Sequence, residues 1–439
     1  MSALEFEILG RSTSTRARVG RVRTPHGEFD TPAFMPVGTR ASVKGLFPRD
    51  VAATGAQVVL NNTYHLLLRP GPELVEQLGG VHRFMNWHGP ILTDSGGYQA
   101  YSMSDTNSVD DDGVTFKSIV DGSQVRLTPE RATRVQNQLG ADIIMAFDDC
   151  PPAAEPQDRS NRPTPPEKDP RPTSGEGSDA LGGDPRLVRA IRRDSGKRGY
   201  DHQKRLEIAN ERTVRWLERC KRAHERPADQ ALFGIIQGGT DLTRREWSAQ
   251  RVCSVELPGY AVGGVAVGEP FEQIARVVAF TTTLMPDAKP RYLMGVGYER
   301  DLVSAVRSGI DMFDCVLPTR NGRNANAFTR TGQIRLRNSG YSRDPGPIEE
   351  GCDCAACSPS AAGGGPARAP TGQGWFSRAY LRHLFMCGEM LGPILVSLHN
   401  IRHFQRLMAD IRATILSDDW DGLARRWPVA ADGIAAVPS

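Results

Sequence analysis

The sequence predicts a closed (β/α)8 TIM barrel of the α/β class, with an N-terminal antiparallel β cap and a C-terminal zinc-binding subdomain. Three observations carry this. Eight short apolar runs recur along the 439 residues, amphipathic helix-length segments separate them, and nearly every run ends on a polar residue or glycine. Short buried strands alternating with helices build parallel βα units, and eight such units close into a barrel.

The elements follow in chain order. The first thirty residues are rich in Arg, Thr and Val and turn at Pro25-His26-Gly27, which predicts an antiparallel hairpin capping the barrel. The predicted strands are Phe34–Gly38, Gln57–Asn62, Ile91–Asp94, Asp142–Asp148, Ala231–Gln237, Gly259–Gly264, Arg291–Gly297 and Ile310–Cys315. The helices between them carry end signals: Thr128-Pro129-Glu130 opens one that Gly140 closes, and Gly309 closes another. Asn62, Asp94, Asp148, Gln237, Gly264, Gly297 and Asp314 all fall at C-terminal strand ends, where this barrel builds its active-site mouth. A single Asp or Asn there can simply cap the next helix. Seven in succession predict a shared pocket.

The expected organisation is a cap over 1–33, a barrel over 34–340, a zinc-binding subdomain over 341–410, and a C-terminal helix and tail over 411–439. An insertion over 151–198, crowded with Pro, Gly, Ser and charge, interrupts the barrel and predicts a disordered loop. A second flexible insertion covers 358–374, "SPSAAGGGPARAPTGQG".

Composition excludes some classes. No stretch approaches the roughly eighteen apolar residues of a membrane span, and no signal-peptide pattern opens the chain, so a cytoplasmic protein is expected. The net charge of +3 means that a nucleic-acid partner would be held by local basic clusters rather than by the whole surface.

Three of the eight cysteines cluster as "CDCAACS": Cys352, Cys354 and Cys357. In a reducing compartment this spacing points to a metal site, and three thiolates plus one histidine make a closed, structural zinc site. The spacing leaves His383, His399 and His403 open as the fourth ligand.

Longer motifs add a resemblance. "NTYHLLLRPG", "LTDSGGYQ", "MAFDDC", "AVGGVAVGE", "YLMGVG", "DMFDCVLPTRNGRNA" and "CDCAAC…SRAYLRHL…LHNI" together resemble the bacterial tRNA-guanine transglycosylase family, in the family's order. The match runs from about Phe34 to Met408, apart from the two insertions. It implies a pentosyltransferase that replaces guanine at the wobble position of GUN-anticodon tRNAs (Asp, Asn, His and Tyr acceptors) with 7-aminomethyl-7-deazaguanine, towards queuosine.

Base exchange with retention at ribose C1′ needs a carboxylate nucleophile and a second acid/base group. The resemblance assigns these to Asp314 and Asp94. Asp148 can accept from guanine N1–H and its exocyclic amine, while Gln237 and the Gly264 backbone can meet O6. Tyr98 and Met294 match positions that sandwich the ring, and Asn62 and Ser95 suit ribose or the neighbouring carboxylates. Cys150 and Val267 resemble the bacterial form, and the Val265 backbone matches the position that receives the aminomethyl group, although the family commonly has Leu there. Arg320 and Arg323 suit phosphates or bases flanking the extruded nucleotide, and Arg330, Arg335 and Arg337 extend the basic strip. The family's zinc pattern selects His399. His383, Phe376 and Tyr380 resemble its homodimer contact, although Trp375 and the preceding insertion depart from the usual short link.

Two other classes compete. A retaining glycoside hydrolase also places two carboxylates on a barrel, but it wants an aromatic-lined groove and has no use for Arg320 and Arg323; the six tryptophans lie mostly away from strand ends. A non-catalytic partner subunit would have lost its active residues, whereas Asp94, Asp148 and Asp314 are all present.

Overall fold

Side-chain alternation decides which face of each strand lines a barrel, since successive residues of a strand point to opposite sides. The computed structural model, which describes residues 3–102, 107–151, 201–265, 269–358 and 374–435, follows this rule. The two insertions and Val267 fall largely or wholly outside the described residues.

Three antiparallel strands open the chain: β1 (Glu5–Arg11), β2 (Arg18–Thr24) and β3 (Gly27–Thr31). The turn falls at Pro25-His26 as expected, but the cap has three strands, because β1 pairs along β2 from Glu5↔Arg23 to Arg11↔Arg18. The barrel strands are β4 (Ala33–Pro36), β5 (Val59–Asn61) and β6 (Ile91–Thr93). An antiparallel meander that the sequence reading missed follows: β7 (Asn107–Asp110), β8 (Gly113–Lys117) and β9 (Gln124–Leu127). The barrel resumes with β10 (Ile143–Met145), β11 (Ala231–Ile236), β12 (Gly259–Val262), β13 (Arg291–Leu293) and β14 (Met312–Cys315). These eight strands pair in the order β4-β14-β13-β12-β11-β10-β6-β5, and a parallel bridge from Val37 to Leu60 closes the circle.

Met35, Leu60, Leu92, Met145, Phe233, Ile235, Ala261, Tyr292 and Met312 fill the interior together with Val22 and Phe29 of the cap. Their neighbours one residue along, such as Phe34, Val59, Ile91, Leu232, Leu293 and Phe313, join the core outside the barrel, under the helices. The cap therefore plugs the N-terminal end of the barrel. Buried ions fasten it there: Arg18 donates to both Asp311 oxygens at 2.9 and 2.6 Å. Asp142 accepts from the stacked His26 and His82 rings at 2.8 and 2.9 Å.

After β14 the chain departs from expectation. The Pro and Gly of the Pro-Thr-Arg-Asn-Gly stretch at 318–322 predict an exposed loop, but the stretch lies in helix Leu317–Arg323. Pro318 sits in its first turn, where a missing N–H costs nothing. Gly322 lies against the long helix Leu391–Ser417, where an added Cβ would come within 2.8 Å of the Ser397 backbone. Asn400 of that helix donates to the Pro318 and Asn326 carbonyls and accepts from Phe328 N, tying in the hairpin of β15 (Asn326–Thr329) and β16 (Gly332–Arg335). Among the described residues, no helix is long and apolar enough to cross a membrane.

Candidate active site and metal centre

Two residues beyond Leu60, Leu92, Ile235, Tyr292 and Met312 lie Asn62, Asp94, Gln237, Met294 and Asp314. Because alternate residues share a face, the phase that buries the first set in the barrel aims the second set into its C-terminal mouth. The sequence's polar strand ends form a layer just above the apolar core.

Asp94 is buried and fully engaged. Its Oδ2 accepts from Asn62 at 2.5 Å and from Gln99 at 2.8 Å, and its Oδ1 accepts from Thr63 N at 2.8 Å. Burial raises its pKa to about 6, with the charge of Asp314 adding to the rise and the three donors opposing it. Asp314, only partly covered, uses one oxygen: Oδ1 accepts from the Tyr292 hydroxyl at 2.5 Å and from Gly295 N at 2.8 Å. Among the described residues Oδ2 accepts no hydrogen bond. Burial raises the pKa of this carboxyl as well, while the Tyr292 and Gly295 donors hold the rise back. Tyr292 itself, buried and beside that charge, is pushed well above the phenol range and stays a donor.

Asp148 occupies another part of the mouth. Beyond Met145 the strand phase breaks, because Phe147 turns outward to stack on Trp216 at 4.8 Å, and Asp148 takes the inward position. Gln237 Nε2 donates to its Oδ2 at 2.6 Å, while Gln237 Oε1 is buried without a partner among the described residues. An unpaired buried acceptor is costly, so this site is built to meet a donor. Gly264, at φ +63°, lies so close that a Cβ would strike Gln237 Oε1. Burial lifts Asp148 to about 7, with the neighbouring Asp149 contributing.

Asp149 points away into a clamp. It accepts from Arg205 at 3.0 and 2.6 Å and from Arg212 at 2.6 Å, both on helix His202–Ala223. Arg245, buried without a carboxylate partner of its own, donates to the Gly239, Ile236 and Gly264 carbonyls and so braces the loops after β11 and β12.

Of the remaining predicted residues, Ser95 is buried beside Asp94, Tyr98 lies half-buried on helix Gly97–Ser102, and Met294 packs partly buried above the interior core. Val265 is buried, and the Cys150 thiol, beside Asp148 and Asp149, is pushed far up by burial and stays neutral. Val267 lies outside the described residues. Arg320 and Arg323 share one turn of helix Leu317–Arg323, near enough that burial and then Arg320's charge lower the Arg323 pKa. Arg330 packs partly buried over Trp427 at 5.0 Å, while Arg337 lies over Phe385 at 5.8 Å and, like Arg335, stays exposed.

Away from the mouth, Cys352, Cys354, Cys357 and His399 are buried with ligand atoms within 4.8 Å of one another. The three sulfurs lie 3.6, 3.4 and 3.4 Å from His399 Nδ1, and Nε2–H donates to the Phe328 carbonyl at 2.7 Å, leaving Nδ1 for a ligand. This group can hold a metal ion. His403 is committed elsewhere, to Glu299 at 2.7 Å, and His383 lies exposed beside Cys387.

The family model described as Queuine tRNA-ribosyltransferase matches residues 12–164 and 195–430. A Queuine tRNA-ribosyltransferase of Thermus thermophilus is 46% identical over 427 residues, covering 97% of this chain and 94% of the relative. One of Synechococcus elongatus is 45% identical over 418 residues, covering 95% and 93%. One of Symbiobacterium thermophilum is 45% identical over 413 residues, covering 94% and 88%.

The chain belongs to the queuine tRNA-ribosyltransferase family.

For a queuine tRNA-ribosyltransferase fold, several residues at the mouth went unpredicted. Tyr292 shares the inward phase of β13 and was legible from that phase. Thr63, Gln99 and Gly295 follow singled-out residues directly but carry no signal of their own. The Asp149 clamp joins residues more than fifty positions apart across an insertion, and nothing local announces it.

Proposed function

We propose that this chain exchanges guanine at the wobble position of GUN-anticodon tRNAs for 7-aminomethyl-7-deazaguanine, by double displacement through a covalent Asp314–ribose intermediate. Coarser than that, it is a pentosyltransferase of the tRNA-guanine transglycosylase type, as its family is. One observation carries the finer reading: among the described residues Asp314 Oδ2 accepts no hydrogen bond while Oδ1 is held by two donors, beside a second carboxyl whose pKa lies near 6.

In this mechanism Asp314 Oδ2 attacks ribose C1′ as the bond to guanine N9 breaks, and the electron pair leaves with the purine. Asp94, raised by burial, serves the departing and arriving bases as the proton carrier. The incoming base then attacks C1′ from the vacated face and releases the carboxylate, retaining configuration. Ionised Asp148 accepts from guanine N1–H and the exocyclic amine. Gln237 Nε2, with one hydrogen on Asp148, keeps its second for O6, with the Gly264 N–H alongside. Tyr98 and Met294 sandwich the ring, and stacking contributes about 1–3 kcal/mol per base. Asn62 and Ser95 serve ribose and the carboxylates, Cys150 and the Val265 backbone border the 7-substituent, and Arg320 and Arg323 grip the flanking RNA.

The Cys3His group fits one structural Zn2+. Tetrahedral zinc with its usual bond lengths places sulfur and nitrogen ligands ~3.6 Å apart, close to the spacings here. A closed Cys3His set would leave no open position, so a bound ion would tie the Cys352–Cys357 loop to helix Leu391–Ser417 and would take no part in the chemistry, while His399 Nε2 donates to β15 at Phe328. The ladder Phe376–Tyr380–His383, half-buried at Phe376 and exposed at Tyr380 and His383, with rings 5.9 and 6.5 Å apart, supports a homodimer contact, and the tRNA substrate supports a cytoplasmic setting.

Incorporation of radiolabelled guanine into unmodified tRNA-Tyr tests the reading. Competition by 7-aminomethyl-7-deazaguanine is expected; no incorporation would overturn it. A retaining glycoside hydrolase would instead cleave a sugar substrate and ignore tRNA.

A further inference from the structure

The connections after β4, β5 and β6 all emerge on the catalytic face, where this barrel carries its loops. Between them lies a recess of about 220 Å3, lined by Arg40, His65, Leu68, Arg69, Ile119 and Val120. Arg40 follows β4, His65 to Arg69 end the helix that begins at Thr63, and Ile119 and Val120 form the turn between β8 and β9. Tyr64 packs on Phe116 at 5.2 Å and so holds the meander against this helix. Thr63, at the other end of the same helix, donates to Asp94. The recess is thus built on the element that positions the acid/base carboxyl.

Two of its charges have no partner among the described residues. Arg40 and Arg69 are exposed, and among the described residues neither guanidinium has a hydrogen-bond or ion-pair partner. Most arginines on this molecule are paired or packed: Arg126 with Asp110, Arg219 with Glu130, Arg402 with Asp353. Two unpaired guanidiniums facing one recess, with Ile119 exposed beside them, suit an anion that also presents an apolar face.

Strand order extends the pattern. β14, β4 and β5 are consecutive around the barrel, so Arg320 and Arg323, then Arg40, then Arg69 follow one side of the mouth. We infer that Arg40 and Arg69 form a phosphodiester-binding site for the anticodon arm of the substrate RNA, one that carries the strand past the catalytic carboxyls towards the β8–β9 turn. This inference rests on the proposed function for the identity of the RNA, and on the recess itself for the binding.

The test is binding of a fluorescently labelled anticodon stem-loop RNA to the full chain across a salt series. Each lost phosphate contact lowers the salt slope by roughly 0.7–0.9, so Arg40→Gln with Arg69→Gln should lower it by about 1.5 and weaken binding about tenfold at physiological salt. The paired Arg→Lys variant should keep the slope, since it keeps the charge, and KM for free guanine should be unchanged in both. An unaltered slope in the Gln pair would overturn the site, as would equal competition by an acidic peptide. Guanine exchange by the unmodified chain separates the two ideas. Exchange with an unaltered slope sinks only this site; a reduced slope without exchange sinks only the proposed reaction.

Discussion

Tyr292 and Asp314 stand on adjacent barrel strands, and the Tyr292 hydroxyl donates to Asp314 Oδ1 at 2.5 Å. The bond opposes the rise that burial imposes on the Asp314 pKa. Tyr292→Phe keeps the ring that fills the interior and deletes that donor. The acid limb of the rate–pH profile should therefore move up by about one unit, with the rate at slightly acid pH down about tenfold and RNA affinity unchanged. An unmoved acid limb would detach Tyr292 from the chemistry.

Asp314→Ala removes a carboxylate that keeps one oxygen clear of hydrogen bonds among the described residues. Wild-type protein quenched during turnover should run on a denaturing gel with a protein–RNA band, and the variant should show none. A surviving band would assign the nucleophile elsewhere.

Asp148→Asn separates recognition from stability. Folding raises the Asp148 pKa from 3.8 to about 7, so the native state binds a proton that the unfolded chain has released. Stability supplied by this group is present at low pH and lost as pH rises from about 4 through 7. The variant should therefore be more stable than wild type at pH 8, by on the order of 1–3 kcal/mol, and nearly equal to it at pH 4. Its KM for guanine should rise at least about a hundredfold while RNA affinity stays within about twofold. In wild type, guanine KM should fall as pH rises through about 7, because the ionised form accepts from the purine. Equal losses of guanine and RNA binding would contradict the assignment.

Metal analysis should find one Zn2+ per chain. Chelation should raise hydrogen exchange first in β15 and around His399, because that imidazole bridges the cysteines and the Phe328 carbonyl. Exchange activity should fall only as far as the fold loosens. Uniform protection after metal removal would show that the site stands without an ion.

Much of the barrel was legible because period-two alternation and strand ends are local patterns. Asn62, Asp94, Gln237 and Asp314 were found at strand ends, and the same alternation carries each of them to the mouth. Asp148 was found at a strand end as well, though it reaches the mouth through a break in phase at Phe147 that alternation alone would misplace. The loop expected after Cys315 became a helix because Gly322 and Asn400 let Leu391–Ser417 dock there, a contact between segments some eighty residues apart. The β7–β9 meander was missed because its strands are only four or five residues long and β7 and β9 carry few apolar residues. Arg330 and Arg337 were read only as part of a basic strip, and only the fold reveals the aromatic rings beneath them.

Phe29 and Val22 stopper the far end of the barrel and packed side chains fill its interior, leaving the mouth a shallow bowl with a single doorway. Any purine must therefore come and go by the same route, and one must clear the floor before the next can land. Initial rates with both bases present should show mutual exclusion, each purine acting as a plain competitor of the other for the sugar-loaded form of the protein.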